Sequence, residues 1–118
     1  MKKDHLREVF DKVSAHLLAQ GRRSAAREGG ACLYRGPDGL RCAVGCLIDD
    51  EHYDPSLEGQ ATGATPGCEE TTRALIESGV TCDREMLEML EVLQDLHDEN
   101  DPAEWATDLA LLKKRWAL

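Results

Sequence analysis

The strongest constraint on the fold lies in residues 83–98, where apolar and acidic side chains separate at the 3.6-residue period of an α-helix. The apolar side consists of Met86, Met89, Leu90, Leu93 and Leu96. The opposite side consists of Glu85, Glu88, Glu91, Asp95, Asp98 and Glu99. We therefore predict a helix over 83–98 whose apolar side joins the core and whose carboxylates face solvent.

Three further helices are predicted from periodicity and capping signals. Asp4 can cap a first helix that runs to about Gln20. A second helix is predicted over about 69–78, followed by a glycine that would end it. The last helix opens with favourable residues at the cap, the first helical position and the third, in the order Asp101-Pro102-Ala103-Glu104.

A turn signal stands in the middle of residues 31–48, the segment that also holds three of the five cysteines. Gly36-Pro37-Asp38-Gly39 combines a preset proline torsion with an Asp-Gly pair that tolerates positive φ, which is typical of a β-hairpin tip. The flanking residues predict strands at Ala31–Arg35 and Leu40–Cys42. Residues 43–50 fit either a continued strand or a short helix, and we favour the short helix.

These elements predict a mainly helical α+β fold, with four to five helices and one β-hairpin. A length of 118 residues favours a single domain over 1–118. Within it we expect a flexible connection at 21–30, the hairpin at 31–42 and a C-terminal helical pair at 83–118.

The charge is strongly asymmetric along the chain, within a net charge of −9. Residues 1–45 carry nine Lys and Arg against five Asp and Glu, a net +4, whereas residues 46–118 carry five against eighteen, a net −13. Direct binding of nucleic acid is therefore disfavoured, because it needs a dominant basic field. The acidity favours a protein partner with a basic surface, or serves solubility alone.

The pattern of apolar residues predicts neither a membrane span nor a signal peptide. We therefore expect reduced thiols and a cytoplasmic location, in the host cytoplasm if a phage encodes the chain. We expect most of the cysteines to be small apolar core residues, and no cofactor.

Two kinds of cysteine chemistry remain alternatives to core packing. Cys32, Cys42, Cys46 and His52 are a conceivable Cys3His zinc set, although the usual Cys-x2-Cys spacing is missing. Cys42 is also the best candidate nucleophile for a cysteine hydrolase, with a histidine brought near by the fold. We name His97 as its candidate partner, although its place on the apolar side of a helix equally suits a hydrogen-bonded core residue.

The turn segment resembles a family of small, uncharacterised proteins that recurs in bacteriophages and prophages. The family has the core pattern Cys-Leu-Tyr-Arg-Gly-x-x-Gly-Leu-x-Cys-Ala-x-Gly, and this chain matches it over residues 32–45. Similarity extends to 53–59 and to 96–98, before a final helix that contains tryptophan. The resemblance implies an origin in a mobile element.

The sequence thus favours a non-enzymatic phage or mobile-element accessory protein. We expect it to bind and modulate a host or defence protein through the acidic residues of 83–99. One alternative is a small cysteine-dependent or zinc-dependent hydrolase centred on Cys42. A further alternative is a structural or assembly protein of a phage.

Overall fold

Four α-helices provide most of the regular structure in the computed structural model, which describes residues 2–25, 33–58 and 69–118. They are α1 (Lys2–Gln20), α2 (Glu69–Glu77), α3 (Arg84–Glu99) and α4 (Trp105–Arg115). Short 3-10 turns lie at Pro37–Gly39, Gly45–Leu47, Asp50–His52, Pro55–Leu57 and Pro102–Glu104. No helix within these ranges is long and apolar enough to cross a membrane. The helices α2 and α3 lie where periodicity and capping predict them. However, α1 begins at Lys2, before its predicted cap Asp4, and α4 begins at Trp105, after a 3-10 turn at its predicted start.

The helix ends have the local causes that the sequence indicates. The Asp83 carboxylate accepts the N–H of Met86 at 2.9 Å and so caps α3. The Asp101 carboxylate accepts the N–H of Ala103 at 3.0 Å and starts the turn that leads into α4. Gly21, at φ +70°, ends α1 in the left-handed conformation that glycine adopts without strain. Local capping therefore sets the helix boundaries.

The core lies where α1, α3 and α4 pack against one another, and the segment 42–48 closes it from another side. The most deeply buried large side chains are Phe10, Leu17, Leu47, Ile48, Leu75, Met86, Leu90, Leu93 and Trp105. Phe10 and Trp116 meet edge to face, with ring centroids 6.0 Å apart. The apolar side of residues 83–98 is buried as predicted, which leaves the opposite side of α3 in solvent.

The predicted β-hairpin, and with it the α+β class, is wrong. Residues 2–25, 33–58 and 69–118 contain no β-strand and no sheet, and an isolated antiparallel bridge between Arg35 and Arg41 stands where the hairpin was expected. The first two residues of the predicted strand Ala31–Arg35 lie outside the described residues. The described chain is mainly helical.

The turn itself forms, but the arms on either side do not become strands. Asp38 and Gly39 have φ of 58° and 75°, and the Gly36 N–H donates to the carbonyl of Leu40 at 2.8 Å. Directly after Arg41 the backbone forms a turn, in which the Cys46 N–H donates to the Cys42 carbonyl at 3.1 Å. Residues 43–50 accordingly contain no strand, and the short helix favoured there is a single 3-10 turn at Gly45–Leu47.

Side chains from distant segments bind backbone N–H groups of both arms of the turn. The N–H groups of Tyr34 and Arg35 donate to the Glu58 carboxylate at 2.8 and 3.2 Å. The N–H of Arg41 donates to the Gln20 side-chain oxygen at 2.8 Å. Of these donors, only the Tyr34 N–H faces the opposite arm, because the Tyr34 carbonyl accepts the Cys42 N–H at 3.4 Å. Its bond to Glu58 therefore removes one hydrogen bond that would extend the pairing into a ladder.

Residues 21–25, the described part of the predicted flexible connection, are held against the core. Ser24 is buried, and its N–H donates to His97 Nε2 at 3.0 Å. The Arg23 guanidinium donates to the carbonyls of His97 and Asn100, at the C-terminal end of α3. Residues 26–30 lie outside the described residues.

Candidate functional site

The acidic face is the exposed side of α3, formed by Glu85, Glu88, Glu91, Asp95, Asp98 and Glu99. All six residues are exposed, as the sequence predicts. The spacing of three or four residues places their carboxylates on one side of the helix. One cation, Arg84, lies on the same helix, so the sixteen residues of α3 carry six negative charges against one positive. The acidic face is a concentrated negative surface.

Contacts within the described residues engage some of these carboxylates but not all of them. Arg84 Nε lies 3.2 Å from Glu88 Oε1, but the side chains are 87% and 60% exposed, so water and salt weaken the pair. Asp98 accepts hydrogen bonds from His97 and Gln94. Within residues 2–25, 33–58 and 69–118, no hydrogen bond or ion pair engages the carboxylates of Glu91, Asp95 and Glu99.

An apolar groove of about 510 Å³ lies between the acidic face and α1. Its apolar lining is Leu6, Met89, Val92, Trp116 and Leu118, with Lys3, Glu85 and Glu88 at its margin. Val92 is 39% exposed and lies beside the carboxylates of the acidic face, where an apolar side chain is unexpected. Sequence reasoning missed Val92, and the available signal was an apolar residue off the buried stripe of its helix.

A second groove of about 340 Å³ lies between α3 and α4 and also contains Val92. Its apolar lining is Val92, Leu96, Leu111 and Leu112, and its charged margin includes Asp95, Glu99, Asp108 and Arg115. Leu111 is 61% exposed. Both grooves include Val92, and their lining residues on α3 follow one another along one side of the helix from Glu85 to Asn100. Together the two are called here the α3 groove.

His97 is a structural residue and not a free base. Its ring is fully buried, and it stacks on Trp105 with centroids 5.6 Å apart. Nε2 accepts the Ser24 N–H, so Nδ1 carries the proton and donates to Asp98 Oδ1 at 2.7 Å. Both ring nitrogens are engaged, and a general base would need one of them open to a substrate.

Cys42 is likewise inaccessible to a substrate, because its side chain is fully buried. Its Sγ accepts the Gly45 N–H at 3.2 Å, and burial raises the pKa of the thiol far above its ordinary value. Cys46 Sγ donates to the Ala43 carbonyl at 3.1 Å, and burial raises its pKa from 9.0 to about 12. Since the thiolate is the nucleophile and the metal ligand, neither cysteine is activated.

The structure does not gather the described members of the candidate zinc set. His52 lies near acidic groups instead, with Nδ1 3.2 Å from Glu77 Oε2 and Nε2 3.6 Å from Glu51 Oε1. In the described ranges, the donor group that includes His52 is completed by Asp49 and Glu51 and holds neither Cys42 nor Cys46. Cys32 lies outside the described residues. Exposed acidic groups of this kind do not by themselves make a metal site.

The thiols at Cys42, Cys46 and Cys82 should react slowly with an aromatic disulfide reagent. Burial raises the pKa of Cys82 to about 11 and that of Cys46 to about 12, so at pH 8 little thiolate is present. In a Cys32→Ser/Cys68→Ser variant, we expect each remaining thiol to react about 100-fold or more slowly than an exposed cysteine introduced by Ile76→Cys. Stopped-flow absorbance at pH 8 measures the rates.

The control is the same variant in its fully unfolded state. All three thiols should then react with the reagent at the rate of an exposed cysteine. Because folding raises these pKa values above 9.0, the unfolded chain ionises first, and the free energy of unfolding falls as pH rises above about 9. Rapid modification of Cys42 in the folded protein would contradict the closed site and would restore the hydrolase hypothesis.

Glu58 forms a second polar centre that sequence reasoning missed. Besides the two backbone N–H groups, its carboxylate accepts the Tyr53 hydroxyl at 2.6 Å. The Arg35 guanidinium lies over the Tyr53 ring, 4.6 Å from its centroid, and donates to the Ile48 carbonyl at 2.7 Å. Burial, together with the hydrogen bond to Glu58, raises the pKa of Tyr53 to about 12. These contacts brace the turn segment and leave the acidic face and the α3 groove as the candidate site.

No protein-family model, no curated protein and no solved structure shows significant similarity to this chain.

Proposed function

We propose that this protein is a non-enzymatic accessory protein of a phage or other mobile element that binds and modulates a host or defence protein. The observation that carries the proposal is the acidic face, a row of six exposed carboxylates on one helix, of which Glu91, Asp95 and Glu99 make no hydrogen bond or ion pair within the described residues. A surface of this kind favours a partner with a basic patch, because complementary charge steers association and selects the partner.

The buried thiol and histidine argue against the hydrolase alternative. Cys42 lacks access to solvent, and both nitrogens of His97 are bonded within the protein. A nucleophile and its base must reach a substrate, and these two side chains are packed in the core. Binding through exposed side chains therefore fits the structure better than hydrolysis at Cys42 does.

Reversing the charge of the acidic face should abolish partner binding. We expect Glu88→Lys/Glu91→Lys/Asp95→Lys to weaken capture of the partner from a host lysate by about tenfold or more, because three attractions become repulsions. Quantitative mass spectrometry of the retained proteins measures the loss.

Binding by the unmodified protein should also decrease as salt rises from about 50 to 300 mM, since exposed charges are screened over about 10 Å or less.

A control of equal charge change is Glu8→Lys/Glu51→Lys/Glu104→Lys, which alters exposed carboxylates outside the acidic face. We expect this variant to retain the partner. Equal losses in the two triple variants would mean that overall charge matters and the acidic face does not. Unchanged capture in both would remove the proposed function.

A further inference from the structure

We infer that the α3 groove receives a basic amphipathic helix of the partner protein, laid along α3 with its apolar side on Val92. The inference rests on the proposed function and specifies the element that the acidic face recognises. It goes beyond charge, because it assigns part of the binding energy to an apolar contact. The size, chemistry and charge of the groove carry it.

The dimensions of the groove suit a helix of about four turns. Its margin on α3 extends over the fifteen residues from Glu85 to Glu99, or about 21 Å along the helix axis. The two cavities share Val92, so the surface continues past that residue on both sides. A partner helix of similar length can therefore contact the whole groove at once.

The bottom of the groove is apolar and open. Val92 and Leu111 are 39% and 61% exposed, and they are the exposed large apolar side chains of α3 and α4. Trp116 and Leu112 are half-buried beside them. Apolar side chains at positions i, i+3, i+4 and i+7 of a docked helix would cover this strip, which is the usual recognition pattern for a helix in a groove.

The charges along the groove select a basic helix. Its margins carry Glu85, Glu88, Asp95, Glu99 and Asp108 against Lys3 and Arg115, five negative charges and two positive. Lysine and arginine on the flanks of a docked helix would meet the carboxylates while its apolar residues contact Val92. The same charges repel a nucleic-acid backbone or an anionic membrane.

Two labelled peptides of identical composition test the inference. In one 18-residue peptide of leucine, alanine, lysine and arginine, the leucines follow the i, i+3, i+4, i+7 pattern. In the other, the order is scrambled so that no apolar side exists. Fluorescence anisotropy with the full chain should show that the amphipathic peptide binds at least about tenfold more tightly than the scrambled one.

Apolar substitutions in the groove separate its contribution from that of charge. Val92→Ser/Leu111→Ser should weaken binding of the amphipathic peptide by about tenfold and leave the scrambled peptide unaffected. The control Ile76→Ser changes a residue on α2 that is 55% exposed and should affect neither peptide. Because all three positions are exposed, the melting temperature of each variant should remain close to that of the parent chain.

The outcomes distinguish this inference from the proposed function. Equal affinity for the two peptides, binding of neither, or an unchanged affinity in Val92→Ser/Leu111→Ser overturns the helix in the groove, whereas the capture experiment alone decides the proposed function. A second copy of this chain as the occupant would appear in light scattering as a mass that rises with concentration and falls in Val92→Ser/Leu111→Ser. That result would also overturn the inference.

Discussion

Replacing Trp105 by alanine should lower the free energy of unfolding by about 3–5 kcal/mol, the range for removing a large buried aromatic side chain. Trp105 is fully buried at the start of α4 and stacks on His97, so its loss opens a cavity between α3 and α4. Urea denaturation followed by circular dichroism measures the change. A loss of this size is large compared with the total stability of a small domain.

Two matched variants separate packing from other effects of the substitution. Trp105→Phe should cost less than about 1.5 kcal/mol, because it keeps most of the apolar volume. It also removes an indole N–H that is buried without a partner among the described residues. Ile76→Ala removes a side chain that is 55% exposed and should cost well under 1 kcal/mol. Equal losses in Trp105→Ala and Trp105→Phe would contradict the packing explanation.

Replacing Gly45 by alanine should destabilise the protein by about 3 kcal/mol or more, at the upper end of the cost of overpacking. A Cβ at Gly45 would lie 2.0 Å from the Tyr34 carbonyl oxygen and 2.7 Å from its carbonyl carbon. Those atoms belong to backbone that Glu58 and Cys42 hold by hydrogen bonds, so they cannot move alone. The midpoint of urea denaturation should fall accordingly.

Gly36→Ala is the matched control, since its Cβ would meet the hydroxyl of Ser24 at 2.7 Å. The end of a serine side chain can rotate away, so we expect a cost of about 1 kcal/mol. If Gly36→Ala proved as destabilising as Gly45→Ala, the close approach to Tyr34 would not be the cause. A neutral Gly45→Ala would mean that the turn segment packs differently from the structure described here.

These substitutions matter for binding because the acidic face depends on the core beneath it. His97 and Trp105 fix the C-terminal part of α3 against α4, and Gln94 donates to Asp98 while accepting the Val44 N–H at 3.1 Å. A destabilised core would disturb the acidic face indirectly. Binding is therefore tested by substitutions at exposed positions, and the melting temperature of each variant is compared with that of the parent chain.

The helices could be predicted because their determinants are local. Asp83, the apolar stripe of residues 86–96 and the Asp101-Pro102 start all act within a few residues of the element they define. That the arms of the turn would not become strands could not be predicted, because Glu58 and Gln20, whose side chains bond the two arms, lie 24 and 21 residues away. A preference for strand in the arms is weaker than the hydrogen bonds that these side chains supply.

The candidate site also has one part that the sequence predicts, the acidic face, and one part that it does not, the α3 groove. The exposure of the six carboxylates follows from the 3.6-residue period alone, because burying the opposite side of the helix leaves them in water. The α3 groove does not follow, since it needs Leu6, Leu111 and Trp116 to be brought beside Val92 by α1 and α4. Likewise, periodicity placed His97 on the apolar side of its helix, but the contact with Ser24 and Trp105 comes from packing.

By itself, then, the amino-acid order determined the four helices, the capped start of α3 and the side of α3 that carries the negative charge, because each depends on neighbours within one or two turns. Tertiary structure decided the coiled form of the turn segment, the burial of Cys42 and the groove beside Val92. Those features arise from contacts between segments far apart in the chain. Packing decides which groups are removed from water and which hydrogen-bond partners they meet, and the local sequence does not specify either.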